Sequence, residues 1–267
     1  MPPFDSSIGS DPQYERFSDI YDIWTQTAPS AEANLAFYRD LYLGADGPVV
    51  ELGIGDGRIA IEAAKRGCSV TGVDASPAML RRCAERAACE GVADHLQLIE
   101  GDFRTFHIDQ PAALITLPYH SLGHLATFDE KRHAISRVHQ QLRPGGRFVF
   151  DDFMMTEARR DYMRQAQLRA VYRSPQGAER LLWVTSLIDE SLQQIRVVTW
   201  EDELDANGEL MRRQYRQLLL SWLTPHQART LLTETGFVVD TCWGDFKRTP
   251  FDATTADEQI WSVHRST

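Results

Sequence analysis

The segment Pro48-Val49-Val50-Glu51-Leu52-Gly53-Ile54-Gly55-Asp56-Gly57-Arg58-Ile59-Ala60 constrains this chain more than any other. Pro48–Leu52 is apolar apart from Glu51 and rich in β-branched residues, the pattern of a buried strand. Three glycines then alternate with other residues, and a helical apolar pattern starts at Ile59. Without a Cβ at alternate positions the backbone can turn sharply, and a ligand can lie against it. The first amides of the following helix point at that ligand. The segment therefore predicts an α/β fold with a nucleotide-like cofactor at its first strand-to-helix turn. A dinucleotide fingerprint would need a third glycine at position 58, where this chain has Arg58.

Strands and helices alternate downstream. Ser69–Val73 reads as the second strand, ending at Asp74. Ser76 and Pro77 have the chemistry of a helix cap and first turn. Leu96–Glu100 reads as the third strand, followed by Gly101-Asp102-Phe103, and Ala112–Thr116 as the fourth. A helix over Asp129–Leu142 leads through the turn Arg143-Pro144-Gly145-Gly146 into a fifth strand, which closes with Asp151-Asp152-Phe153. The alternation then breaks. A helix and three extended runs, Arg180–Ile188, Gln194–Leu204 and Leu210–Trp222, predict an inserted antiparallel sheet. Thr224-Pro225 caps a further helix, and Phe237–Cys242 and Gln259–His264 form a final hairpin. Before the core, Tyr14, Phe17, Tyr21 and Trp24 recur at helical spacing. The expected organisation is an N-terminal helical lid over 1–44, a cofactor core over 45–153, a β insertion over 154–223 serving as substrate lid or dimer contact, and the end of the core over 224–267.

Glu51-x-Gly53-x-Gly55-x-Gly57, Asp74, Asp102, Pro144-Gly145-Gly146 and the final hairpin together resemble the S-adenosylmethionine (SAM) dependent methyltransferases of the Rossmann-like class. The resemblance implies a seven-stranded sheet with helices on both faces, its last strand inserted antiparallel. It also implies that Asp74 reaches the ribose hydroxyls, that Asp102 accepts from the adenine amino group while the Phe103 amide meets a ring nitrogen, and that Met79 lies near the adenine. Gly53, Gly55, Glu51, Arg58, Ala75 and Leu117 belong to the same expected cofactor site, with Tyr14 and Tyr21 reaching it from the lid.

Ligands of open α/β sheets bind beyond the C-terminal strand ends. There the fourth strand runs into Leu117-Pro118-Tyr119-His120-Ser121-Leu122-Gly123-His124-Leu125. Its last five residues resemble a stretch of small-molecule N-methyltransferases, sugar N,N-dimethyltransferases among them. Thr116-Leu117-Pro118-Tyr119 lacks the leading Asp or Asn and the first proline found in enzymes that methylate amino groups of DNA or of protein glutamine. Together with Tyr21-Asp22-x-Trp24-Thr25 and Asn34-Leu35-x-Phe37-Tyr38, the loop is similar to the N-methyltransferases of azapteridine (toxoflavin-type) biosynthesis.

Methyl transfer is an in-line displacement, so a base is useful and not obligatory. His124 is the first candidate, His120 the second, and Asp151 or Asp152 could hold an acceptor N–H. Only one of the two aspartates can face the site, because strand side chains alternate. Tyr119, Trp24 and Phe246 would contact a flat acceptor. The alternatives are methylation of an aminosugar or other small amine, or O-methylation of a small phenol.

A net charge of −10 argues against nucleic acid or an anionic membrane as partner, since both call for clustered Lys and Arg. The expected partner is a small molecule, and the chain a monomer or homodimer. Cys68, Cys83, Cys89 and Cys242 form no C-x-x-C pair, so no metal is expected and the thiols read as reduced in the cytoplasm. The polar segment Met1–Pro12 does not read as a signal peptide.

Overall fold

A computed structural model describes residues 20–27, 30–174 and 176–266. Contacts divide the chain into two units. One joins Glu32–Met154 to Trp222–Thr267; the other joins Met155–Ser221 to the chain up to Ala31.

The first unit carries a seven-stranded sheet: β1 (Val49–Leu52), β2 (Val70–Asp74), β3 (Leu96–Glu100), β4 (Ala112–Leu117), β5 (Leu142–Phe153), β10 (Phe237–Trp243) and β11 (Glu258–Arg265). Their order is β10-β11-β5-β4-β1-β2-β3. Strands β1 to β5 pair in parallel, and β11 runs antiparallel to both β5 and β10. All of β1 and β4 is buried, as expected for parallel strands covered on both faces. The turn at Pro144–Gly146 lies inside the span of β5, and the β4–β5 register shifts there to accommodate it.

Alternation divides the core. Val50, Leu52, Ile115, Leu117, Phe148, Phe150 and Val263 face helices Phe128–Gln141 and Pro225–Glu234. Val49, Leu114, Val149 and Ile260 face helices Ala31–Leu43 and Arg58–Ala64. Each fully buried Leu, Ile or Phe contributes about 1.5–3 kcal/mol, so both faces hold the sheet firmly. Thr127 and Thr224 open their helices with capping boxes completed by Glu130 and Gln227. Ser76 caps helix Pro77–Cys89, its hydroxyl accepting the Met79 N–H at 3.3 Å.

The second unit is an antiparallel meander of β6 (Gln167–Arg173), β7 (Glu179–Asp189), β8 (Gln194–Leu204) and β9 (Leu210–Ser221), preceded by helix Glu157–Arg164. Three extended runs were expected there and four strands form. The additional one, β6, is an edge strand with two arginines and a register irregularity between Leu168 and Ala170. Charge and irregularity of this kind protect an open edge from pairing, and they also obscure the strand pattern in sequence. Helix Tyr21–Gln26 packs Ile20, Ile23 and Trp24 in one cluster with Leu182 and Tyr172 of this sheet. Tyr14 and Phe17 lie outside the described residues. Among the described residues, no helix is long and apolar enough to cross a membrane.

Candidate active site

The turn after β1 has the backbone its sequence requires. Gly53, Gly55 and Gly57 have φ of 67°, 57° and 80°, a region costly to residues with a Cβ. A Cβ on Gly57 would lie 2.6 Å from the Cys83 sulfur, and one on Gly53 would lie 3.2 Å from the Ser121 hydroxyl. The turn is tied down by β2, whose Val73 carbonyl accepts from the Gly53 and Ile54 amides at 2.7 and 3.2 Å. Asp74 accepts the Gly55 N–H at 2.8 Å and the Ser76 N–H at 2.9 Å. Asp74 therefore braces the loop, tying the glycine turn to the start of the next helix. Ala75 beside it is exposed, whereas Met79 and Leu117 are fully buried.

Asp102 follows β3 and is clasped by Arg104, whose Nη2 and Nε donate at 2.6 and 2.9 Å and whose backbone N–H donates at 2.7 Å. These bonds hold the carboxyl below its ordinary range. The spacing of acid and arginine at i and i+2 was legible in the sequence, but the pairing was not foreseen. Phe103 packs on the core, close to the position a Cβ of Gly53 would take.

Helix Ala31–Leu43 contributes a row that sequence reading did not assign. Asn34, Tyr38 and Tyr42 stand four residues apart and so share one helical face. All three are buried over the β1–β4–β5–β11 surface. The Asn34 Oδ1 accepts from the Arg58 guanidinium at 2.6 Å, the Tyr38 hydroxyl donates to Asp151 at 2.5 Å, and the Tyr42 hydroxyl shares a hydrogen bond with Thr116 at 2.7 Å. The spacing Asn-x-x-x-Tyr-x-x-x-Tyr was the available signal. Below this row lies Glu51. Burial pushes its carboxyl up to about 8, against Tyr42 and Arg58, which favour the anion. Its Oε2 and the Asn34 Nδ2 have no hydrogen-bond partner among the described residues. Buried polar atoms of this kind are in the minority in folded proteins, and two of them lie here beside the glycine turn. An acid, a guanidinium and a carboxamide beside a bare glycine turn suit a ligand with an ammonium and a carboxylate.

The loop after β4 holds the second half of the site. Tyr119 and His120 are consecutive non-glycine residues in the left-handed region, with φ of 61° and 58°. One carboxylate holds them there, since the two oxygens of Asp151 accept their N–H groups at 2.9 Å each. The His120 Nε2 bonds Glu258 at 2.7 Å and lies 3.4 Å from Asp151. Burial opposes charge on this imidazole, but Glu258, Asp151 and Asp152 outweigh it and raise the ring to about 9. These carboxylates favour the protonated ring, the direction opposite to the one a general base would need. The fold also gathers a potential metal-ligating set, since donor atoms of His120, Asp151 and Glu258 lie within 4.8 Å of one another. No such constellation was visible in the sequence, where Asp151 is 31 and Glu258 is 138 positions from His120.

Asp151 and Asp152 are separated by strand alternation. Asp151 shares the face of Val149 with Tyr38. Asp152 shares the face of Phe150 and accepts the Leu223 and Phe153 N–H groups at 3.0 and 2.9 Å. Burial raises Asp152 to about 6, with Lys131 pulling the other way. Each of its oxygens thus accepts one backbone N–H, on the face opposite Asp151. His124 closes the 3-10 turn Ser121–His124 and is lowered to about 4 by burial and the Lys131 charge. Lys131 is itself buried and donates to the Leu122 carbonyl at 2.6 Å. Phe246 packs against Phe37 and Tyr38, with ring centres 5.8 and 6.5 Å apart. Trp24 and Tyr21 belong to the other unit, where the Arg169 guanidinium lies 4.8 Å from the Trp24 ring centre. Tyr14 lies outside the described residues.

The strand order with β11 reversed, and a glycine turn after β1, define the Rossmann-like methyltransferase class. Residues 49–146 match a family model described as a methyltransferase domain. An uncharacterized methyltransferase of Geobacillus kaustophilus is 30% identical over 183 residues, covering 63% of this chain and 82% of the relative. Among solved structures, the CcbJ methyltransferase of Streptomyces caelestis superposes with a TM-score of 0.78 at 21% identity, covering 94% of this chain and 96% of that one. SAM-bound CalS10, an amino pentose methyltransferase of Micromonospora echinaspora, gives a TM-score of 0.69 at 20% identity, covering 92% and 97%. The chain belongs to the SAM-dependent methyltransferase family. The orphaned Glu51 oxygen, the Arg58–Asn34 pair and the bare turn fit the amino-acid end of that cofactor.

Proposed function

We propose that the protein is a small-molecule N-methyltransferase whose acceptor is a planar nitrogen heterocycle of the azapteridine (toxoflavin) type. The observation that carries this reading is the flat wall at the end of β4. The Tyr119 and His120 rings lie within 11° of parallel with centres 5.9 Å apart, and the Arg58 guanidinium lies 5.3 Å from the Tyr119 ring centre. Flat rings stack favourably on such surfaces.

When bound, SAM supplies a methyl group already activated on a sulfonium. The protein's part is then to orient the acceptor lone pair and keep water out. Glu51, Arg58 and Asn34 hold the amino-acid end of the cofactor over Gly53 and Gly55. Asp74 and Ala75 meet the ribose, and Met79, Asp102, Phe103 and Leu117 border the adenine. Tyr119, His120 and Phe246 line the acceptor side, with Asp151 setting the loop. His124 is neutral at working pH, and its conjugate acid is far too acidic for a strong base. Its role is to accept a hydrogen bond from the acceptor N–H and so aim the lone pair. A small amine, such as an aminosugar nitrogen, is the second reading, favoured by the two carboxylates of Asp151 and Glu258 around one imidazolium.

A radiolabelled-methyl screen over azapteridines, aminosugars, small amines and phenols tests the proposal. Transfer to a ring nitrogen with S-adenosylhomocysteine formed is the expected result. SAM binding with no methyl acceptance across the panel would overturn it.

A further inference from the structure

Three strands of the large sheet each bring one metal-binding side chain to the same place. His120 lies in the loop after β4, Asp151 lies near the end of β5, and Glu258 opens β11 opposite Phe153. Because β11 is reversed, its first residue stands where the parallel strands end, which is the ligand edge of such a sheet. The His120 Nε2 is 2.7 Å from a Glu258 oxygen and 3.4 Å from an Asp151 oxygen, and donor atoms of all three lie within 4.8 Å of one another. Around a divalent ion bound at about 2.0–2.2 Å, neighbouring ligand atoms stand about 3.0–3.5 Å apart. The set therefore has the dimensions of one side of a coordination shell, and the rotatable Glu258 side chain can take up the remainder.

The surroundings suit an ion as well. Asp151 and Glu258 are both buried, and buried carboxylates call for a compensating cation. Around Asp151 the donors are the Tyr38 hydroxyl at 2.5 Å, the Tyr119 and His120 amides at 2.9 Å each, and the His120 ring; none is a lysine or arginine. Hydrogen bonds from hydroxyl and amide groups are what orients a ligating carboxylate. His120 keeps 23% of its side chain exposed, so the place can be reached from outside.

We propose that His120, Asp151 and Glu258 bind a first-row divalent cation of the Mn²⁺ or Zn²⁺ kind. One imidazole nitrogen and two carboxylate oxygens suit both ions. Three protein donors leave at least one position open, where an oxygen or nitrogen lone pair of a small molecule can coordinate. A proton shared between Nε2 and Glu258 and a metal ion bound to both are alternatives for the same position. Tyr38 is a positioning residue here, acting through Asp151.

The test titrates the full chain, stripped of metal by a chelator and dialysed, with Mn²⁺ read by electron paramagnetic resonance. Wild type should take up one ion with a Kd below about 0.1 mM, tighter than the weakest protein cation sites, and the bound ion should show coupling to an imidazole nitrogen. Glu258→Gln and His120→Gln should each weaken binding about tenfold or more, and Tyr38→Phe by a similar factor. Any ion still bound to His120→Gln should lack the nitrogen coupling. Glu62→Gln, an exposed acid far along the chain from these residues, should leave the affinity unchanged. A wild-type Kd above that limit overturns the proposal. So does bound Mn²⁺ without nitrogen coupling, or an affinity that Glu258→Gln and His120→Gln leave as it was. Melting followed by circular dichroism shows which variants fold; where one does not, Tyr38→Phe and the wild-type nitrogen coupling decide the matter. Failure of the methyl screen is a separate result: it removes the N-methyl reading and leaves the metal titration to judge this site.

Discussion

His120 and Glu258 share a 2.7 Å hydrogen bond although 138 positions separate them, because the reversed strand β11 starts at the edge where β4 ends. The pair is backed by Asp151, which lies 3.4 Å from the same ring nitrogen. It also sets a pH signature opposite to that of His124 in the same loop.

For His120 the folded-state value, about 9, lies above the ordinary 6.5. Its contribution to stability is present in full below pH 6.5 and is lost as pH rises toward 9. For His124 the folded value, about 4, lies below 6.5. The unfolded chain takes up that proton first, so stability falls as pH drops from 6.5 toward 4. Urea denaturation of wild type against His124→Ala should show a smaller acid-side loss in the variant. His120→Gln should flatten the alkaline side.

His124→Asn, which keeps a polar group near the ring position, should retain most of the methyl-transfer rate. His124→Ala should lose roughly tenfold, the scale of one hydrogen bond. A drop under about threefold in His124→Ala, with SAM affinity intact, would remove His124 from the mechanism. Lys131→Met should raise the His124 value, because it deletes a charge that depresses it.

Asp151→Asn should loosen the acceptor loop. The change leaves one of the Tyr119 and His120 amides facing an NH₂ group, and an unsatisfied buried donor costs about 1–3 kcal/mol. Left-handed non-glycine residues store a further 1–3 kcal/mol each, on the order typical of strained sites. The expected result is a stability loss of about 2–4 kcal/mol in urea, with acceptor KM rising and S-adenosylhomocysteine affinity little changed.

Gly57→Ala should destabilise the fold by about 2–4 kcal/mol, combining left-handed strain with overpacking against Cys83. Adding Cys83→Ala should restore only the packing part. Calorimetric melting of the two variants separates the contributions.

Asp102→Asn should weaken SAM about tenfold or more, the scale of one hydrogen bond to a charged group. Arg104→Gln should leave SAM affinity within a fewfold, because Arg104 braces Asp102 and is not itself assigned to the cofactor. Equal losses in the two variants would show that the clasp, and not the acid, is what matters.

Local chemistry made much of this fold legible. The glycine turn, the Ser76 and Thr224 caps and the apolar strands depend on neighbours within a few residues, and the structure places them where the sequence does. Edge strand β6 was missed because charge and irregularity hide an edge, and the rest of that sheet was found from its apolar runs. The Asn34–Tyr38–Tyr42 row was legible only in part. Its spacing is local, but what it faces is not.

The sequence by itself determined the class of the protein, since each mark, a strand with three glycines and an acid at each strand end, is a local pattern and their order along the chain adds up. Tertiary structure decided which of those residues remain available for chemistry. Strand alternation sent Asp151 to the loop and Asp152 to the opposite face. Reversal of β11 brought Glu258 to His120, and burial beside Lys131 shifted His124 toward its neutral form. Charge states and pairings of this kind depend on dielectric surroundings and on partners far away in the chain, so they exist only once the sheet has assembled.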